Sequence, residues 1–165
     1  MPKRDFLSLS DFSREELEAL LLRAIELKEE RSSNVIHNSL AGKTGLLILA
    51  QNSTRTRIAF EAGMNQLGGH SIFLSDRDSQ ASRGEPLEDF ARVVSEMADV
   101  VMTRQPEQKR IELLAKHASI PVINGMSSDL HPCQLLADMQ TFLELKGSIE
   151  GRAVAFIGDG FNMCN

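Results

Sequence analysis

What most limits the folds open to this chain is a rhythm, in which short apolar runs alternate with amphipathic stretches long enough to be helices. The runs are GLLILA at 45–50, HSIFL at 70–74, ADVVMTR at 98–104, IPVIN at 120–124 and GRAVAFIGDG at 151–160. Residues apolar in succession, rather than on alternate positions, suit a strand buried on both faces. The intervening segments carry helical signals. Ser13 and Glu16 form a capping box ahead of Leu17, Leu20, Leu21, Ala24 and Ile25. A second helix runs from about Thr54 to Leu67 and stops at Gly68 and Gly69. Phe90, Val93, Val94 and Met97 mark a third, and Ile111, Leu114, Ala115 and Ala118 a fourth. The fifth has Pro132 just inside its start and turns Leu136, Met139 and Leu143 inward. Alternation of this kind predicts an α/β fold, a parallel sheet with helices on both faces. In such sheets ligands sit beyond the carboxyl ends of the strands.

A chain of 165 residues has room for one such domain and little more. The polar stretch at 146–151 is the natural boundary, giving a domain at 1–147 and a tail at 148–165. The tail reads as a linker and the first strand of a second α/β domain, cut at Asn165 where a helix should begin. Its hydrophobic run has no covering helices, so it is expected to be exposed, or to pair with another chain. A net charge of −5 argues against a general nucleic-acid binder, whose phosphate contacts need a basic surface. No run reaches the roughly 20 apolar residues of a membrane span, and MPKRDFLSLSDF lacks the apolar core of a signal peptide. No membrane partner is expected, and the expected location is the cytoplasm. The two cysteines, Cys133 and Cys164, make a weak case for a disulfide and none for a zinc site; no metal or cofactor is expected.

The polar clusters fall at the strand ends. STRTR at 53–57 follows the first strand, where a helix N-terminus offers free N–H groups and a positive dipole end. Ser53, Thr54 and Thr56 add hydroxyls, and Arg55 a planar fork suited to phosphate or carboxylate. The plain alternative is an ordinary cap with solvated arginines. The loop at 75–86 follows the second strand and is long enough for a functional loop. Arg104 ends the third strand, and His131 and Gln134 open the helix after the fourth. Cys133 between them reads as a small buried apolar group. The triplet Gly42, Lys43, Thr44 is not a phosphate loop, because His37 stands where its first glycine belongs and a strand follows it. GDGFNMCN at 158–165 lacks the dinucleotide spacing. A compact anion could therefore touch Arg55, Arg104, His131 and Gln134 together.

STRTR, SQASRGEPLEDFARVVS, the strand-end Arg104, HPCQLLADMQT and GDGFNMCN occur in the order seen in ornithine carbamoyltransferases, so the chain resembles the N-terminal part of that family. Within the wider aspartate/ornithine carbamoyltransferase superfamily, the SQ-x-x-x-GE and GDG-x-N patterns are similar to the ornithine branch. An aspartate enzyme would carry a lysine in the Gln80 loop, where Arg83 is the sole basic residue after Ser79. The resemblance implies that Ser53, Thr54, Arg55 and Thr56 hold the phosphate of carbamoyl phosphate, and that Arg104, His131 and Gln134 grip its carbamoyl group. It makes Arg55, Arg104 and His131 the residues closest to catalysis. It implies that Gln80 reaches the site of a neighbouring subunit in a homotrimer, and that Asn162 holds the backbone of L-ornithine. Gln51 stands where the family often has lysine, and Phe161 where it usually has asparagine. The implied reaction, part of arginine metabolism, joins carbamoyl phosphate and L-ornithine into L-citrulline and phosphate. The family's second domain supplies most amino-acid contacts, so the expectation for this chain is a carbamoyl phosphate half-site inactive alone. The alternatives are a carbamoyltransferase for another amine such as putrescine, and a non-catalytic fragment that binds carbamoyl phosphate.

Overall fold

The computed structural model describes residues 3–50, 53–75, 79 and 84–165. Helix α1 spans Arg14–Ser32, strand β1 Thr44–Leu49, α2 Thr54–Gln66 and β2 His70–Ser75. They are followed by α3 Leu87–Ser95, β3 Val100–Arg104, α4 Gln108–His117, β4 Val122–Met126 and α5 Pro132–Lys146. The strands form one parallel sheet in the order β2-β1-β3-β4. The winding direction therefore reverses between β1 and β3, at the middle of the sheet. That reversal splays the connecting loops apart and leaves a crevice at the carboxyl ends of the two central strands.

Each face of the sheet is covered by helices, as the alternating pattern predicts. On one side Leu46, Ile48, Val101 and Val122 pack with Phe90, Ala91 and Val94 of α3 and Ile111, Leu114 and Ala115 of α4. On the other, Leu47, Leu49 and Met102 meet Phe60 of α2, Phe73 and Ile123. Because β1 is buried along nearly its whole length, its side chains point alternately into these two clusters. Helix α1 lies against α5 rather than against the sheet. Its capping box forms as read, with Ser13 Oγ accepting from Glu16 N at 3.3 Å and Glu16 Oε2 accepting from Ser13 N at 2.8 Å.

Three expectations need correcting. Val93 and Met97 point outward, and the small Ala91 takes the inward place beside Phe90 and Val94. Leu20 is likewise outside the buried stripe of α1, which is centred on Leu21. The third correction is larger: no strand forms at 151–160. A strand exists only where its backbone N–H and C=O groups find a neighbouring strand, and none of the four lies beside this run. Helix α5 ends at Gly147, whose φ of 76° breaks the helix. Beyond it Val154, Phe156 and Ile157 are exposed, Ile157 at 95%.

One pairing was not anticipated. Phe6 forms a parallel bridge to Ile123, with Phe6 N donating to Val122 O and Asn124 N donating to Phe6 O, both at 2.8 Å. Asp5 Oδ1 accepts from Val122 N at 2.8 Å. The segment before α1 thus closes the β4 edge of the sheet, which would otherwise expose a row of unpaired backbone groups. The GKT triplet, meanwhile, is structural. Thr44 opens β1, and Lys43 Nζ reaches Asp99 Oδ1 at 2.8 Å, which together with Thr44 N holds the Asp99 carboxyl below its ordinary pKa.

Candidate anion site at the sheet's carboxyl edge

A half-open cavity of about 400 Å³ occupies the crevice between the ends of β1 and β3. Ser53, Arg55 and Thr56 contribute from the start of α2, Arg104 from the end of β3, and His131 and Gln134 from the start of α5. These are six of the nine residues singled out from the sequence. Thr54 starts α2 but does not line the cavity, and Gln80 and Gln51 lie outside the described residues.

Local wiring explains how the groups are held. Ser53 is the N-cap of α2, yet its hydroxyl makes no cap bond to the backbone. It donates instead to Thr56 Oγ1 at 2.9 Å. Arg104 Nη1 donates to the same oxygen at 3.1 Å. Thr56 Oγ1 therefore accepts twice, joining the start of α2 to the tip of β3, and its own O–H is left to donate to a ligand. Because the Ser53 hydroxyl is used in this way, it does not fill the first-turn N–H groups of α2, a ready seat for an anion. Arg57, by contrast, turns away: its guanidinium lies 3.8 Å from the centre of the Phe73 ring, and Nε donates to Glu61 at 2.9 Å.

Arg104 and His131 are the unsatisfied members. Arg104 Nε and His131 Nδ1 are buried without a hydrogen-bond partner among the described residues. Burial lowers the Arg104 pKa; an arginine starts so high that it stays charged at neutral pH. Burial, then the charge of Arg104, lowers the pKa of His131, with Asp138 acting weakly the other way. The imidazole is thus held neutral at physiological pH, able to donate one N–H. Buried donors without acceptors are costly in a protein that has no use for them. Both residues line the cavity of about 400 Å³. Cys133, also at the wall, is pushed up to about 11 by burial, and its thiol donates to Asn124 O at 3.4 Å, so it is no thiolate nucleophile.

Asn162 is placed elsewhere. It is buried, and its amide donates to Ser127 O. Asn165 Nδ2 adds a bond to Asp129 O at 2.8 Å. The tail is thereby pinned to the turn at 127–130, whose own geometry is set by Ser127 Oγ accepting from Leu130 N at 2.9 Å. That turn leads directly into His131.

Sequence reasoning missed Gly125 and Met126, which floor the cavity. The fourth strand was expected to end at Asn124, whereas β4 continues to Met126. A glycine directly after an apolar run was the one available hint.

The chain is similar in sequence and in fold to known ornithine carbamoyltransferases. Over 165 residues, all of this chain and 55% of the relative, it is 54% identical to a protein named ornithine carbamoyltransferase from Hydrogenovibrio crunogenus. The ornithine carbamoyltransferase structure from Burkholderia thailandensis matches with a TM-score of 0.94 at 45% identity, covering 98% of this chain and 56% of that one. The one from Pyrococcus furiosus gives 0.95 at 45%, covering 98% and 51%. The chain thus spans about half the length of the relatives it matches. Residues 4–144 match the family described as aspartate/ornithine carbamoyltransferase, carbamoyl-P binding domain, and the chain belongs to that family.

Proposed function

We propose that residues 1–147 are a carbamoyl phosphate-binding domain, that 148–165 are a linker leading toward an amino-acid-binding part, and that the whole protein is an ornithine carbamoyltransferase. The observation carrying this reading is the convergence of Arg55, Arg104, His131 and Gln134 on one cavity, with Thr56 tying the start of α2 to the tip of β3.

The chemistry follows from the charges. The side-chain amine of ornithine attacks the carbonyl carbon of carbamoyl phosphate, a C–N bond forms, and the C–O bond to phosphate breaks. The bond electrons leave with the phosphate, which takes up the proton that the amine gives up. Negative charge grows on the carbonyl oxygen and on the departing phosphate. Arg104 and the neutral His131 are suited to donate to the first, and a fixed donor of this kind is worth about 3 kcal/mol of barrier. Arg55, the Ser53 and Thr56 hydroxyls and the α2 N-terminus are suited to receive the second. Gln134, whose amide donates to Asp138 at 3.0 Å, leaves its carbonyl free to accept from the carbamoyl NH2.

Calorimetry with carbamoyl phosphate tests the half-site: saturable one-site binding is expected, and its absence sinks the reading. Citrulline formation by this chain alone is expected to be negligible. The placement of Asn162 favours this reading, since its amide is engaged with Ser127 O and does not face the cavity. The family resemblance further supports a homotrimer with Gln80 at a subunit contact, a cytoplasmic location and a role in arginine biosynthesis. Sedimentation of the full-length protein at three protomers would support the first of these.

A further inference from the structure

β4 and β3 do not pair in simple register. Thr103 pairs with Asn124 and Arg104 with Met126, so Gly125 is the extra residue of a bulge. No side chain fits there easily, because a Cβ on Gly125 would stand 2.4 Å from Met102 Sδ and 3.3 Å from Thr103 O. Met126 has a φ of 154°, a backbone angle that residues with side chains rarely adopt. Such a conformation persists only where its surroundings hold it.

The holder is Asn124, which is completely buried. Its Nδ2 donates to Leu7 O at 3.0 Å and to Gln108 Oε1 at 3.1 Å. Its Oδ1 accepts from Met126 N at 2.9 Å. Since Leu7 O can only accept and Met126 N can only donate, the orientation of the amide is determined. The main-chain carbonyl of Asn124 meanwhile accepts the Cys133 thiol at the first turn of α5. One residue thus bridges the bulge at the end of β4 and the helix start beside His131.

We propose that Asn124 is a positioning residue for the anion cavity, holding Met126 and the His131 end of α5 in place against Arg104 by capping the bulge at Gly125. It touches neither ligand nor reacting atoms. The claim rests on reading the cavity as the carbamoyl phosphate site, and its test keeps the two apart. Asn124→Leu removes the cap while keeping the volume similar, and Gln108→Leu removes a neighbouring buried bond while leaving the cap. Both are assessed, when folded, for carbamoyl phosphate affinity by calorimetry and for His131 titration by NMR. Asn124→Leu is expected to weaken binding about tenfold and to raise the His131 pKa toward the free imidazole value as the helix start loosens. Gln108→Leu is expected to lower stability with both readouts unchanged. If Asn124→Leu will not fold, Asn124→Ser carries the same expectation, and failure of both to fold makes Asn124 a core group and overturns the assignment. It is also overturned if a folded Asn124 variant keeps both readouts, or if Gln108→Leu shifts them equally. A wild-type protein that ignores carbamoyl phosphate refutes the substrate reading, while the His131 titration still decides the role of Asn124.

Discussion

On the α3–α4 side of the sheet, Val101, Ile111 and Val122 are fully buried, while well beyond β4 the equally apolar Ile157 is 95% exposed. The two regions are alike in composition and opposite in packing. The first has neighbours on every side, because each strand enters a ladder and each helix lays its apolar stripe on it. The second has apolar content without a ladder, and its side-chain hydrogen bonds to the folded domain come from Asn162 and Asn165 among the described residues. The difference teaches that hydrophobicity selects burial only where the topology offers a partner surface. It also separates two parts of the chain: the candidate anion cavity belongs to the self-supporting region, and Asn162 to the other.

The contrast can be broken by mutation, beginning with the largest effect. Ile111→Ala should cost about 3 kcal/mol in urea unfolding, since it leaves a cavity in a closed core. A cost near that of an exposed site would mean the core is looser than its burial implies. Within the cavity, Arg104→Ala should weaken carbamoyl phosphate binding by about 2 kcal/mol, roughly thirtyfold, with a near-normal unfolding midpoint. Calorimetry and denaturation on the same preparation would separate the two effects.

A smaller effect concerns acidity. The folded state lowers the His131 pKa, so folding favours the neutral ring. The associated stability is fully present above the unfolded-state value of about 6.5 and is lost as pH falls through the folded value. Wild type should therefore lose more stability than His131→Gln between about pH 7.5 and pH 5. An identical loss in both would place the acid sensitivity elsewhere. Smallest of all, Ile157→Ser should change stability by less than about 0.5 kcal/mol. It should nonetheless reduce binding of a hydrophobic dye, sharpening the view of the tail as uncovered apolar surface.

The parts of this architecture legible in the sequence were those with a short-range cause. Continuous apolar runs announced β1 and β3, and the Ser13–Glu16 box announced α1. Arg104 could be placed at a strand end because a charge cannot sit inside an otherwise apolar run. The inward face of α3 was misjudged because Ala91 carries little hydrophobic signal although it packs most closely. The run at 153–157 has strand composition, but a strand is a property of pairs, and its partner cannot be read from the run itself. The Gly125 bulge and the Asn124 network were hidden for the same reason, since they join residues from four separate segments: the strap before α1, α4, β4 and α5.

The strap at Phe6 has a consequence for how the molecule is made. Asp5 meets Val122 across a separation of 117 residues, so the strap must wait for β4 before it can dock. Closing so long a loop is slow compared with forming any hairpin or helix. Until β4 has emerged, that margin of the sheet is open to foreign strands. Deleting the strap would accordingly show up first as poor yield and aggregation during expression, before any loss of ligand affinity in the molecules that fold.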